Sequence, residues 1–145
     1  MNLPYRPNVC VITLVGDRFL LVRKNEWSEG TYKFPQGGID PDEDLVEAAK
    51  REVREELGVA CKSIGISTLT NRYDWPDPKP PYRGQDQRFV AVRIGEDARL
   101  APDGFEIKGY RLVDRDTVIR WDRERRDVFA DYNGIIEAVL DELGL

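Results

Sequence analysis

Gly37-Gly-Ile-Asp-Pro-Asp-Glu-Asp-Leu-Val-Glu-Ala-Ala-Lys-Arg-Glu-Val-Arg-Glu-Glu-Leu-Gly-Val59 decides how the rest of this chain is read. Asp40 offers an N-cap, Pro41 a first helical position and Glu43 the third, the spacing of a reciprocal capping box. Gly58, directly after the last apolar residue of the pattern, supplies the left-handed position that closes many helices. Together these signals predict a helix from about Pro41 to Leu57. At about 100° per residue, Leu45, Val46, Ala49, Val53 and Leu57 share a core-facing arc, while Glu47, Lys50, Arg51 and Arg54 point to water. Glu52 and Glu55 fall between the arcs, and Glu56 borders the apolar one.

The solvent-facing charges pair at favourable spacings, Glu47 with Arg51 and Arg51 with Glu55. Glu52 and Glu56 do not: they stand one turn apart, repel each other, and lie toward the negative end of the helix dipole. A carboxylate partly shielded from water beside that arc either takes up a proton or is neutralised by a cation. Oxygen-only donors of this kind suit a hard divalent ion, Mg²⁺ or Mn²⁺. The chain has no histidine, which removes most zinc and non-haem iron geometries. The bland alternative is a solvated acidic face with a good N-cap.

The preceding loop argues against that alternative, because the whole segment resembles the Nudix box. That motif is a glycine, five residues, a glutamate, seven residues, then Arg-Glu-hydrophobic-any-Glu-Glu-any-Gly-hydrophobic. Gly37, Glu43, Arg51, Glu52, Val53, Glu55, Glu56, Gly58 and Val59 fill its specified positions. The resemblance implies a loop-helix-loop that binds divalent metal and hydrolyses a diphosphate linked to another group. It implies Glu52, Glu55 and Glu56 as metal ligands, with the Gly37 carbonyl as a further one. Arg51 resembles the arginine that orients those glutamates, and Glu43 the acid that caps the motif.

Composition agrees with one enzyme domain spanning residues 1–145. A chain of 145 residues, 41% hydrophobic and 34% charged, buries one sizeable core. No stretch approaches the roughly 20 apolar residues of a membrane span, and the first residues do not read as a signal peptide, so a cytoplasmic location is expected. Cys10 and Cys61 fall in predicted strands without metal-ligand spacing and read as reduced core thiols. The net charge of −5 argues against an extended nucleic-acid surface. It leaves room for a local basic pocket around a phosphate chain. Oligomeric state is not legible.

Strands are expected at Val9–Val15, Phe19–Arg23, Tyr32–Phe34, Cys61–Tyr73, Arg88–Ile94 and Glu106–Val113, with a short helical turn after Asp114. Trp75–Gly84 reads as a long proline-rich loop. The segment from Asp122 to Phe129 is charged and gives no clear signal, and Ile135, Ile136, Val139, Leu140 and Leu143 recur at helical spacing. The order suggests a mixed sheet between helices, and the α/β/α sandwich of the Nudix family is that arrangement.

Substrate choice falls to the flanks. Tyr5-Arg-Pro-Asn-Val9, Lys33-Phe-Pro-Gln-Gly-Gly-Ile39 and Tyr82-Arg-Gly-Gln-Asp-Gln87 resemble one Nudix branch. That branch contains the asymmetric dinucleoside polyphosphate hydrolases and the bacterial RNA 5′-pyrophosphohydrolases. In or beside these flanks lie the candidate substrate residues Arg6, Lys33, Tyr73, Tyr82 and Gln85, the basic ones as phosphate donors and the tyrosines as flat partners for a base. Arg23 and Lys24 are further candidate phosphate donors, and Trp75 and Arg83 lie on the same loop as possible stacking partners for a base. Any of these is equally readable as ordinary surface or loop packing. In the branch a glutamate near Glu106 joins the site, although the residues around it depart from the usual pattern and Asp103 is an alternative.

The implied chemistry is attack of water on phosphorus beside a bound divalent ion, with Glu52, Glu55 and Glu106 as the catalytic set. Glu55 and Glu106 both qualify as the base. Three functions compete: a hydrolase of dinucleoside polyphosphates such as diadenosine tetraphosphate, an RNA 5′-pyrophosphohydrolase, and a non-catalytic nucleotide-sensing module. The intact set of box glutamates counts against the third. Glu137, Asp141 and Glu142 on the last helix, with no Lys or Arg after Arg126, tilt the reading toward the small dinucleotide.

Overall fold

The computed structural model describes residues 2–24, 30–102, 107–125, 129 and 132–145. The chain runs β1 (Tyr5–Val15), β2 (Arg18–Lys24), β3 (Gln36–Gly38), α1 (Leu45–Leu57), β4 (Lys62–Lys79), β5 (Tyr82–Ile94), β6 (Ile107–Val113), α2 (Arg115–Glu124) and α3 (Ile136–Leu143). The strands form one mixed sheet in the order β4-β5-β1-β2-β6, with β3 added against β1. β1 and β5 run parallel from Tyr5↔Gly84 to Val15↔Ile94, and the remaining pairings are antiparallel.

Alternation along β1 divides the molecule into layers. Val9 and Val11 face α1, where Ala49, Val53 and Leu57 close a core with Leu20 and Val90. Cys10, Ile12 and Leu14 face the other way and pack with Phe34, Phe89, Phe129, Ile136 and Leu140 beneath α2 and α3. Helices on both faces of a mixed sheet make the expected α/β/α sandwich. No helix among the described residues is long and apolar enough to cross a membrane.

Four expectations need correction. Helix α1 begins at Leu45 with Asp44 as its N-cap, whose side chain accepts from the Glu47 amide at 2.9 Å; Asp40 is not the cap. The capping-box bond exists, Asp40 N–H donating to Glu43 Oε1 at 3.2 Å, but it closes a turn ahead of the helix because Arg51 draws Glu43 onto itself. Gly58 ends the helix as expected, at φ 68°. Trp75–Gly84 is the end of a β-hairpin, with a cis peptide between Pro80 and Pro81. β4 lies at the sheet edge, and its ladder slips between Asp74 and Lys79, which accommodates prolines that have no N–H to donate.

The short turn after Asp114 is a ten-residue helix, capped by Asp114 on the Thr117 amide and burying Val118, Ile119 and Trp121. Tyr32–Phe34 contributes a single bridge, Lys33 to Val22, while the regular pairing falls one step later in β3. Of the two cysteines, Cys10 is buried in β1, and Cys61 is half-buried just ahead of β4. Asp122, buried at the end of α2, accepts from the Gly134 and Ile136 amides at 3.1 and 3.0 Å and so caps α3 from a distance. Glu106 and Asp103 lie outside the described residues, as do residues 126–128 of the unclear segment.

Candidate active site

Two adjoining features occupy the β3 end of the sheet. The first is built on Arg51, whose guanidinium donates to both Glu43 oxygens at 2.7 and 2.9 Å, to the Gly38 carbonyl at 2.8 Å and to Glu52 Oε1 at 2.8 Å. Its contact with Glu55 is looser, at 3.3 Å. The planar fork suits this work, tying the glycine strand, the turn and the helix together through one side chain. Arg51 was expected on the water-facing arc; it is only 21% exposed because those acceptors lie inward.

The glutamates part company. Glu52 and Glu56 are buried, 8% and 2% exposed, whereas the Glu55 side chain is 57% exposed. Glu52 packs so closely on β3 that a Cβ at Gly37 would collide with its carboxylate, which explains a glycine there. Burial raises the Glu52 carboxyl above its ordinary range, opposed by the neighbouring Arg51. Glu43 shifts the other way, lowered by the Arg51 hydrogen bonds. Glu56 meets Lys24 from β2, Nζ to Oε1 at 3.2 Å.

Oxygen donors without nitrogen or sulfur, two of them buried and cradled against a glycine, fit a hard divalent cation. Among the described residues no three histidine, cysteine, aspartate or glutamate side chains gather tightly enough to enclose an ion. Arg51 holds Glu55 and Glu52, and Lys24 holds Glu56. These two cations offset only part of the charge of four carboxylates, since Arg51 is shared among Glu43, Glu52 and Glu55.

The second feature is a cleft of about 240 Å³ on the other side of Gly37. Arg6, Lys24, Lys33 and Lys79 supply its charge and Tyr73 and Trp75 its aromatic wall. No acid is among its described lining residues. Arg6, Gln85 and Tyr73 stand in cross-strand register on β1, β5 and β4. Gln85 Nε2 donates to the Tyr73 hydroxyl at 3.0 Å, and Arg6 lies over Gly38.

Two residues further along each strand, Asn8, Gln87 and Asn71 form a second row in register, buried below the first. Gln87 Nε2 donates to Asn8 Oδ1 at 2.8 Å and to Gln36 Oε1 at 3.3 Å, and Asn71 Nδ2 donates to Gln87 Oε1 at 3.3 Å. Tyr132 also donates to Gln36 Oε1, at 3.3 Å, and Asn133 to Asn71 Oδ1, at 3.1 Å. This amide ladder separates the cleft from the aromatic core around Phe34 and Phe89.

Of the residues singled out in the sequence, Arg6, Lys33, Tyr73 and Gln85 meet in the cleft with Gly37, joined by Lys24 and Trp75. Tyr82 does not line it; it opens β5 opposite Lys79 at the hairpin end. Arg83 instead pairs with Asp74 at 2.7 Å and stacks on Tyr5, and Arg23 lies at the β2 bulge. Sequence reasoning missed Asn8, Gln36, Asn71, Gln87 and Lys79. For the amides the available signal was polar residues at alternate positions in otherwise apolar strands, which demands partners inside.

A NUDIX domain model matches residues 4–132. An RNA pyrophosphohydrolase of Novosphingobium aromaticivorans is 37% identical over 78% of this chain and 80% of that protein. Nudix hydrolase 25 of Arabidopsis thaliana is 36% identical over 66% of this chain and 62% of that protein. Among solved structures, a MutT protein from Methanosarcina mazei Go1 has the same fold, with TM-score 0.72, 21% identity and 98% and 97% of the two chains covered. A C. elegans Ap4A hydrolase binary complex shares it at TM-score 0.59 and 16% identity, over 94% and 95%. With the box in place on its loop and helix, and this sandwich around it, the chain belongs to the Nudix family of hydrolases.

Proposed function

We propose that this chain, acting as one domain over residues 1–145, hydrolyses a phosphoanhydride bond in the 5′-polyphosphate of a nucleotide, with the triphosphorylated 5′ end of RNA as its substrate. The observation that carries this reading is that the two features share residues: an acid-free cleft with four cationic side chains is lined by Gly37, against which Glu52 packs, and by Lys24, which pairs with Glu56. A phosphate chain lying against Arg6, Lys33 and Lys79 would reach the acids with its terminal groups. Tyr73 and Trp75 offer flat surfaces to the first base. The names of relatives from Novosphingobium aromaticivorans and Rhizobium meliloti, both 37% identical RNA pyrophosphohydrolases, support the choice of an RNA end.

Gly37, Glu52, Glu55 and Glu56 would hold Mg²⁺, with Mn²⁺ as a substitute. When bound, that ion neutralises charge on phosphate oxygens and makes a water more acidic. Glu52 and Glu56 anchor the site from their buried positions, and Arg51 and Glu43 fix the helix against the glycine strand. Glu55, the exposed one of the three box glutamates, accepts the proton of the attacking water, with Glu106 as the competing base. Separate Glu55→Gln and Glu106→Gln variants decide between them: the base should lose about a hundredfold or more in kcat, and the other residue much less.

A second reading, hydrolysis of a dinucleoside polyphosphate such as diadenosine tetraphosphate, is favoured by the net charge of −5 and the acidic last helix, which offer little to an RNA chain beyond its first nucleotides. Comparing kcat/KM on 5′-triphosphorylated RNA and on diadenosine tetraphosphate, with Mg²⁺ and product analysis, separates the two. A higher value for the dinucleotide would reverse the order proposed here. Turnover of neither would refute both.

A further inference from the structure

We infer that Lys24 is the resident counter-cation of Glu56, a positioning residue that yields its place when a divalent ion enters and then turns to the substrate's phosphates. Lys24 closes β2 and is 8% exposed, and its ammonium lies 3.2 Å from a carboxylate that is itself 2% exposed. Its Nζ also approaches the Gln36 carbonyl at 3.5 Å, so it links β2, β3 and α1 at the head of the glycine strand. A buried ammonium and a buried carboxylate are each costly alone, and neutralising one another is what lets both be there.

Lys24 also looks both ways. On one side its ammonium meets Glu56 from α1. On its other side it lines the cleft with Arg6, Lys33 and Lys79. With Glu56 taken as a metal ligand, as proposed above, a divalent ion at that carboxylate would bring two positive charges beside the ammonium. Lysine has a flexible four-carbon stem and three rotatable donors, so a short swing exchanges the carboxylate for a phosphate oxygen in the cleft. Metal and polyphosphate then assist each other's binding: the ion displaces the ammonium, and the phosphate accepts it.

Mn²⁺ binding measured without substrate, by calorimetry and by the paramagnetic resonance of the free ion, tests this on the full chain above neutral pH. Lys24→Gln should bind Mn²⁺ about tenfold more tightly than the wild type, because a competing charge in a partly dry site has gone. Lys24→Arg, which keeps the charge, should show no gain. In metal-free thermal unfolding Lys24→Gln should melt lower, Mn²⁺ should raise its midpoint more than the wild type's, and Lys24→Gln/Glu56→Gln should recover much of the metal-free loss. If Lys24→Gln folds only with Mn²⁺ present, the ion has replaced the ammonium as inferred; failure to fold in either condition overturns the exchange. Unchanged or weaker Mn²⁺ binding in Lys24→Gln, while Glu56→Gln loses it, overturns the role of Lys24 and leaves the metal site standing. Wild-type Mn²⁺ binding in Glu56→Gln would instead remove the metal site itself.

Discussion

The sheet carries buried polar groups on both faces, and the two sets differ in kind. On the α1 face they are charged: Glu52 and Glu56 against Arg51 and Lys24. Below the cleft, on the α2 and α3 face, they are neutral amides, Asn8, Asn71, Gln36 and Gln87, with the Tyr132 hydroxyl. The amides answer one another with hydrogen bonds, whereas Glu56 meets Lys24 as an ion pair and neither of its buried oxygens accepts a hydrogen bond. A charged set can exchange one cation for another, and so suits the place where chemistry requires a cation. A neutral set has nothing to exchange and titrates nowhere near neutrality. It suits a floor that must hold a phosphate cleft open whatever ion or substrate is bound. The contrast predicts that damage to the first set appears in kcat and damage to the second in KM.

The strongest way to break the charged side is Arg51→Ala. It strips Glu52, Glu43 and the Gly38 carbonyl of one shared donor, leaving a buried carboxylate unpaired. Removing one partner of a buried pair costs about 3–5 kcal/mol, and with the guanidinium 21% exposed some of that is returned by water, leaving about 2–4 kcal/mol. Chemical denaturation should show the loss, and kcat should fall by about a hundredfold or more as the glutamates lose their anchor. Arg51→Lys should rescue little, since a point charge cannot serve acceptors on three segments. Near-normal kcat in either variant would refute the claim that this hub sets the acids.

Gln87→Leu breaks the neutral side. The leucine fits the volume but removes the donor to Asn8 Oδ1 and the acceptor that Gln87 offers Asn71. At about 1–3 kcal/mol for a buried group that loses its partner, partly relieved by rearrangement, a loss of about 1–3 kcal/mol is expected. The site on α1 is untouched, so KM should rise several-fold with kcat close to normal. A fall in kcat with KM unchanged would show that the ladder acts on the acids through Gln36, and the division between the two faces would fail.

The charged face was legible in the sequence and the neutral one was not, for reasons visible in particular residues. Glu52, Glu55 and Glu56 lie within a turn and a half of one helix, so local geometry brings them together before any tertiary structure exists. The end of that helix at Gly58 is local too. Its start is not: Asp40 and Asp44 both make adequate caps, and the choice was made by Arg51 reaching back from a later turn to Glu43. The amide ladder joins residues 8, 71 and 87, which meet only through strand register, and register depends on the whole sheet. Trp75–Gly84 reads as loop in the sequence because prolines are poor in central strands, and nothing local reveals that β4 is an edge.

The smallest effect expected is the most selective. The hydrogen bonds from Arg51, helped by the Asp40 amide, lower the Glu43 carboxyl below its ordinary range. A carboxyl depressed by folding contributes stability above its unfolded pKa of about 4.3 and loses that contribution as pH falls through the lower folded value. Glu43→Gln keeps the shape and one acceptor but removes the charge. At pH 7 it should cost about 1 kcal/mol, typical of a partly exposed ion pair. The gap to the wild type should narrow on acidification below about pH 4, because the wild type is then losing the same interaction. Melting both proteins from neutral to acid pH measures it, and a gap that stays constant would mean that Glu43 acts through its shape and not its charge.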